Sequence, residues 1–346
     1  MTDETAMQLA LAEARCGMGL TSPNPPVGTV IIGAGGKVLG AGWHQRAGGP
    51  HAEIEALRSA REAGESVKGA TVFVTLEPCS THGRTPPCVG ALIAARVGRV
   101  VWGAVDPNPA HQGRAEELLA AAGISVTRGV CHKECEAVLR PFSKYIRTGI
   151  PWVTAKSGIS LDGRITRPAG EGHWITSPEA RQDAMTLRLH SDAIIVGAGT
   201  VRADNPSLTL RGITVPDWKP QPWRVVLTRR GDLPFSAKVF TDAHHERTLV
   251  FSSPLPELLQ DLGSRGVMSV LIEGGGEVLA SAFAAGVVDD VVFYMAPLIS
   301  GSGLPVVNGT VFNGSSVELD FQETHPIGPD LRIHALVRKG QGGASL

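Results

Sequence analysis

Pro50-His51-Ala52-Glu53, then Ala70-Thr71-Val72-Phe73-Val74-Thr75-Leu76-Glu77-Pro78-Cys79, then Thr85-Pro86-Pro87-Cys88 are the segments from which the rest of the chain can be read. The middle one is β-branched and bounded by Gly69 and Pro78, so it reads as a strand that delivers Cys79 just past its end. Positions i and i+2 of a regular helix point to different faces. His51 and Glu53 therefore share a pocket only if it lies at a helix's first turn. Pro50 suits a helix start, and Ile54 and Leu57 follow at helical spacing. Cys88 is placed to open the next helix, Val89 to Ala95, whose N-terminal dipole favours a thiolate.

One imidazole and two thiolates fill three positions of a tetrahedral zinc and leave the fourth open for water, the mark of a catalytic rather than a closed structural site. Glu53 is not needed as a ligand and is free to carry protons. H-x-E followed by P-C is the pattern of zinc deaminases, with the Glu as proton shuttle. A structural zinc, or two buried thiols beside a surface His, is the alternative. No fourth Cys or His stands at finger spacing, and that favours the catalytic reading.

Working outward, 346 residues allow two ordinary domains. The apolar content of 42% suffices for real cores. A net charge of -1 gives no bulk electrostatic footprint for nucleic acid. Met1 to Ala10 carries Asp3 and Glu4 rather than a basic leader, and no run of about 18 apolar residues occurs, so neither a signal peptide nor a membrane span is expected. Five cysteines, two of them assigned to metal, point to a reduced, cytoplasmic protein.

Met7 to Cys16 reads as an Ala/Leu-rich helix. Val27 to Ile32 and Lys37 to Trp43 read as a hairpin around Gly33-Ala34-Gly35-Gly36. A strand (Arg99 to Ala104), a helix (Ala115 to Ala122) and a short strand (Ile124 to Thr127) complete a three-layer α/β/α unit. Cys131 and Cys135, one helical turn apart near His132, suggest a second metal pair, but without a further ligand they read as reduced thiols.

The pattern restarts around Arg147 to Pro151, which sets domains at 1–147 and 148–346. The second half predicts a strand at Trp152 to Lys156, a turn at Asp162-Gly163 and a helix behind the cap Ser177-Pro178. Strands follow at Ala193 to Val196, Arg224 to Thr228, Thr248 to Phe251 and Val270 to Ile272. A helix begins near Val278, and strands at Val291 to Met295 and Leu331 to Val337 finish a second α/β domain. Gly274-Gly275-Gly276 and Gly197-Ala198-Gly199-Thr200 stand between strand and helix, where backbone N–H groups can approach a phosphate. A merely tight connection is as good a reading. Arg229, just past a strand, is placed either to meet the 2′-phosphate of NADP or to sit solvated. Lys156, Arg188, Asp204, Arg211 and Glu273 are candidates to act on a sugar phosphate or a hydride acceptor, though each alone is more often a surface or ion-pair residue.

The whole chain resembles the bifunctional pyrimidine deaminase/reductase family of riboflavin biosynthesis. The resemblance rests on Pro23 to Gly28, Gly42 to Arg46, His51-Ala52-Glu53, Glu77 to Cys88 and Asp106 to Pro109 in the first half. In the second half it rests on Ser160 to Arg164, Trp174 to Ser177, Thr200 to Pro206 and Glu273-Gly274-Gly275. It implies a cytidine-deaminase-like domain holding one Zn²⁺ and a dihydrofolate-reductase-like domain using NADPH. The first would deaminate a diaminopyrimidinone carrying a ribosylamino 5′-phosphate. The second would reduce the ribosyl group to ribityl. Asn24, His44, His82 and Arg84 match positions that hold the pyrimidine and phosphate. Gly172, Arg188, Leu208, Arg211 and Glu273 match reductase substrate positions, with Lys156 and Asp204 as candidate catalytic groups. Gly158, Trp174, Thr200, Asp204 and the run Gly275, Gly276, Glu277, Val278, Leu279, Ala280, Ser281 match cofactor positions.

Gly172 departs from the family, which often carries Ser there. Ala110 to Ala115 departs from the usual Val-Ala-Gly-Arg-Gly run. The resemblance implies a small-molecule substrate, no nucleic acid or membrane partner, and a homo-oligomer, dimer or tetramer. A nucleic-acid deaminase shares the zinc pattern but calls for a basic face, and a nucleotide-binding regulator would show no turnover.

Overall fold

The computed structural model describes residues 1–81, 87–108, 113–309 and 316–338. Its contacts divide the chain into two units, Met1–Gly149 and Ile150–Leu346.

The first unit runs α1 (Asp3–Cys16), β1 (Gly28–Ile32), β2 (Val38–Trp43), α2 (Ala52–Glu62), β3 (Thr71–Leu76), α3 (Cys88–Ala94), β4 (Arg99–Ala104), α4 (Arg114–Ala121), β5 (Ser125–Arg128) and α5 (His132–Thr148). Its five strands lie in the order β2-β1-β3-β4-β5. The hairpin β1–β2 and the pair β1–β3 are antiparallel, and β3–β4 and β4–β5 are parallel. Strand alternation decides the layers. Val72 and Val74 face Ala56, Leu92 and Leu119 of α2, α3 and α4, whereas Phe73 faces Met7, Leu11 and Leu139 of α1 and α5. The three-layer α/β/α architecture expected from the sequence is present.

Helix α1 starts four residues before the expected Met7, because the Thr2 side chain accepts the Thr5 N–H and Asp3 and Glu4 occupy the first turn. Pro50 is not the first helical residue: His51 is the N-cap of α2, and Pro50 precedes it. Helix α5 was not foreseen. It carries Pro141 inside, yet Gly149 closes it in the left-handed conformation (φ 71°).

The second unit runs β6 (Trp152–Ser160), α6 (Pro178–Leu189), β7 (Ala193–Gly197), α7 (Ala198–Asp204), β8 (Trp223–Leu227), α8 (Lys238–Thr241), β9 (Thr248–Phe251), α9 (Leu255–Ser264), β10 (Ser269–Ile272), α10 (Gly276–Ala284), β11 (Asp290–Ala296), β12 (Leu319–Ile327) and β13 (Asp330–Val337). Eight strands lie in the order β12-β13-β11-β6-β10-β7-β8-β9. The pairs from β11 to β9 are parallel, so those strands end at one edge, the edge where open α/β sheets bind ligands. One face packs Ile195, Val225 and Ile272 against α9 and α10. The other splits into Ile194, Val196 and Val226 around Leu208, and Val292 and Tyr294 under α6. Ser177 caps α6 as its Ser-Pro sequence predicts. Strand β6 outlasts its expected end at Lys156 by four residues, because Ser157 to Ser160 keep pairing with Phe293 to Ala296.

Candidate active sites

In the first unit Cys79 does two jobs at the start of α3: its Sγ accepts the Cys88 N–H at 3.2 Å, and its carbonyl accepts the Val89 N–H at 3.3 Å. These satisfy orphan donors of the helix terminus and bring the two sulfurs together. His51 Nδ1 lies 3.5 Å from Cys79 Sγ and 3.3 Å from Cys88 Sγ. The three ligand atoms all fall within 4.8 Å of one another, and no other such group occurs among the described residues. A soft, mixed N/S set of three at this separation fits a divalent zinc with a position left over.

Cys79 is held down at about 4, first by its hydrogen bond with Cys88 and then by His51, while its thiolate and burial push Cys88 up. A bound metal would take the place of a proton at these sulfurs. Glu53, in the first turn of α2, is 3% exposed, and burial followed by the Cys79 charge pushes its carboxyl up. A carboxylate that holds a proton readily beside a ligand set is what a shuttle requires.

His44 packs edge-on to His51 with ring centroids 5.4 Å apart. Burial pushes its imidazole down. Its Nδ1 meets the Pro50 carbonyl at 2.8 Å and must donate there, which leaves Nε2 to accept the Asn24 amide at 3.0 Å. Asn24 and His44 thus reach the ligand cluster as one hydrogen-bonded pair. His82 and Arg84 lie outside the described residues. Sequence reasoning gave no role to Glu77, whose carboxylate accepts the backbone N–H groups of Gly113 at 2.9 Å and Asp106 at 3.4 Å. It ties the chain after β4 to the residue two places before Cys79, and its only sequence signal was an acid directly ahead of Pro-Cys.

Cys131 and Cys135 are free thiols. Cys135 is buried against Gly103, where a Cβ would stand 2.1 Å from its sulfur. This is core packing.

In the second unit Arg188, in the last turn of α6, grips Glu273 at the end of β10 through Nε–Oε1 and Nη2–Oε2 contacts of 2.8 Å each. Both side chains are under a tenth exposed, at 7% and 9%. Burial alone would push Glu273 up, but Arg188 and then Lys156 beside it hold it at about 2. Lys156, half-buried on β6, has its ammonium pushed down by desolvation, with Glu273 opposing and Arg188 reinforcing. Arg211 belongs to the same charge cluster and donates to Ser207 Oγ at 3.0 Å. Arg188 also donates to the Thr209 carbonyl at 3.1 Å, which fixes the segment that carries Leu208. The Leu208 side chain is sunk in the core and its backbone is left-handed (φ 53°), so only its main chain is offered to a ligand.

The glycine-rich turn holds the second cluster. Gly275 caps α10, and a Cβ there would stand 3.7 Å from Thr200 Oγ1, so the two expected cofactor residues meet. Gly276 has no room for a side chain: its Cβ would lie 2.5 Å from the Pro305 carbonyl. Gly275 and Gly276 thus put side-chain-free backbone at the N-terminus of α10, a setting that suits an anion. Glu277 pairs with Arg229 at 3.1 Å, both exposed. Val278 packs on the turn. Leu279 and Ala280 are core residues, and Ser281 spends its hydroxyl on the Glu277 carbonyl, so the turn's contacts end with the first helical residues.

Gly158 lies on β6, tight against Thr176. Trp174 is half-exposed with the Arg181 guanidinium 4.7 Å above its ring. Gly172 is left-handed (φ 103°) with open space about it, a backbone that favours glycine over the family's Ser. Asp204 ends α7 and stands 3.8 Å from His173.

Residues 1–104 match the cytidine and deoxycytidylate deaminase zinc-binding region, and residues 151–333 match the RibD C-terminal domain. The chain is 39% identical over 367 residues to riboflavin biosynthesis protein RibD of Escherichia coli K12, covering 96% of this chain and 99% of that one. With its Mycobacterium tuberculosis H37Rv counterpart the identity is 40% over 342 residues, covering 97% of each. Among solved structures, Acinetobacter baumannii RibD aligns with a TM-score of 0.85 at 36% identity, covering 97% of this chain and 99% of that chain. The Thermotoga maritima diaminohydroxyphosphoribosylaminopyrimidine deaminase/5-amino-6-(5-phosphoribosylamino)uracil reductase gives 0.85 at 33% identity, with the same coverage of 97% and 99%.

Proposed function

The chain belongs to the RibD family, and from that membership we propose how its residues divide the work of a bifunctional riboflavin-biosynthesis enzyme. The enzyme hydrolytically deaminates 2,5-diamino-6-(5-phosphoribosylamino)pyrimidin-4-one with zinc, then reduces the ribosyl group to ribityl with NADPH. Its substrate is a small molecule, and no helix among the described residues is long and apolar enough to cross a membrane.

We place deamination in Met1–Gly149 and reduction in Ile150–Leu346. His51, Cys79 and Cys88 would hold the zinc, which when bound brings a water's pKa toward neutrality. Glu53 takes the proton of that water and returns protons to the ring nitrogen and the leaving amine. Asn24 and His44, locked to each other, position the pyrimidine, with His82 and Arg84 assigned to the base and its phosphate.

In the second unit bound NADPH supplies the hydride, and the protein's part is orientation and proton supply. Thr200, Gly275 and Gly276 would hold the cofactor's phosphates at the start of α10, with Glu277 and Val278 flanking. Gly158, Trp174 and Asp204 line the cofactor's path, and Arg229 is assigned to its 2′-phosphate. Arg188, Arg211, Glu273 and the main chain at Gly172 and Leu208 hold the substrate. The ring-opened, imine-like sugar carbon would be the hydride acceptor. Lys156, an ammonium whose pKa burial lowers, gives the proton to the nitrogen. Asp204 is the alternative acid.

The reading is carried by the three-ligand cluster with Glu53 buried beside it. A cytoplasmic homo-oligomer, dimer or tetramer, that binds no nucleic acid completes the proposal. Exposed Leu161, Ile299 and Leu304 on neighbouring loops support self-association. The test is Glu53→Gln: zinc content stays at wild-type level while ammonia release falls by about 10²–10⁴. Unchanged ammonia release overturns the assigned shuttle.

A further inference from the structure

Tyr294 is 1% exposed and lies on β11, next to β6 in the reductase sheet. The register pairs Val292 with Lys156 and Tyr294 with Gly158. Strand alternation therefore puts Tyr294 and Lys156 on one face as diagonal neighbours. On the β6 side the residue opposite Tyr294 is Gly158, which places no side chain between the ring and Lys156, while on the β13 side it is Arg332. The Lys156 ammonium lies 6.0 Å from the ring centroid, at the outer reach of a cation–π contact.

The ring itself is fixed. Its hydroxyl donates to Asp183 Oδ2 at 2.6 Å, and Arg332 Nε meets the same oxygen at 3.2 Å. Ala180, Ala184 and Val292 pack around it, with Leu187 and Ile327 closing the sides. Its hydroxyl is therefore committed to α6, the helix that also carries Arg188, while its ring is left to Lys156. No other described aromatic ring lies under that ammonium. A lysine side chain has four rotatable bonds and loses much entropy when held. A rigid ring beneath it narrows where the ammonium can stand.

We propose that Tyr294 is a positioning residue of the reductase: its ring, fixed by packing among Ala180, Ala184 and Val292, holds the Lys156 ammonium in line with the sugar carbon bounded by Arg188 and Glu273. The inference rests on the assignment of Lys156 as proton donor. It adds a residue that touches neither substrate nor cofactor and acts through another.

The test uses the full-length zinc-loaded enzyme with NADPH and the deaminated pyrimidine. Tyr294→Met keeps apolar volume without a ring face, and Tyr294→Phe keeps the ring. NADPH affinity, read from quenching of its fluorescence, reports whether the reductase unit is folded. Tyr294→Met is expected to lower kcat roughly 10- to 100-fold with NADPH affinity unchanged, and Tyr294→Phe to recover most of that loss. In a Lys156→Ala background the Met substitution should cost nothing more, because the group it positions is gone.

A Met variant that turns over at the wild-type rate overturns the proposal. So does a loss of the same factor with and without Lys156, or a Phe variant as slow as Met. Should Lys156→Ala alone retain full activity, the assignment of Lys156 itself falls, which is a distinguishable failure.

Discussion

The metal-ligating cluster takes its side chains from two helix starts and a strand end, all within 38 residues of chain from His51 to Cys88. The reductase cluster takes Lys156 from mid-strand, Arg188 from the last turn of a helix and Glu273 from beyond another strand. In the first, the element ends do the assembling: the Cys79 sulfur and carbonyl cap the very helix that Cys88 opens. In the second, nothing local holds the members together. The Arg188–Glu273 pair does so directly, through two buried hydrogen bonds. A metal site is thus written in residue type and local spacing, whereas a charge cluster is written only in tertiary pairing.

The contrast can be broken by changing one group on each side. Cys88→Ala removes a candidate ligand of the first unit. Zinc content and ammonia release should both fall to background, roughly 10³-fold or more by analogy with loss of an activated nucleophile, while NADPH oxidation with the deaminated pyrimidine persists. Metal analysis and the two assays on one preparation check this.

Glu273→Gln strands a buried guanidinium, so the second unit should lose about 3–5 kcal/mol in urea titration, with reductase turnover lost as well. The pH dependence sharpens the point. Glu273 sits at about 2 in the folded chain against an ordinary 4.5, so the folded state binds that proton less readily than the unfolded one. Its contribution is present above about pH 4.5 and drains away as the pH falls toward 2. The Gln variant should therefore show a flatter acid limb than wild type over that window.

The smallest effect belongs to the glycine turn. Gly276→Ala puts a methyl 2.5 Å from the Pro305 carbonyl, and overpacking of this kind costs about 1–3 kcal/mol. NADPH affinity should weaken about tenfold, with ammonia release untouched; an unchanged affinity would remove the turn from the cofactor site.

What could be read beforehand follows the same division. Strand β4 and the Ser177 cap of α6 stand where the apolar runs and the Ser-Pro signal put them. Strand β12 escaped notice because it is an edge strand whose Gln322, Glu323 and Thr324 face solvent, leaving no alternation to detect. Helix α7 follows β7 with no linker, so its first turn takes in Ala198 to Thr200, which read as the glycine turn ahead of a helix. Among candidate site residues, the three candidate zinc ligands and Glu53 are visible as a pattern. Glu77 and the proposed Tyr294 are not, since a carboxylate that accepts backbone N–H groups and a ring beneath a lysine leave no signature in spacing.

The most direct measurement gives the wild-type protein the diaminopyrimidinone ribosyl phosphate and follows ammonia with and without NADPH, together with NADPH absorbance. Two chemistries on one chain predict ammonia in both conditions and NADPH consumed only after ammonia appears. Ammonia without NADPH loss would reduce the second unit to a binding domain, and no ammonia from zinc-loaded protein would contradict the account at its centre.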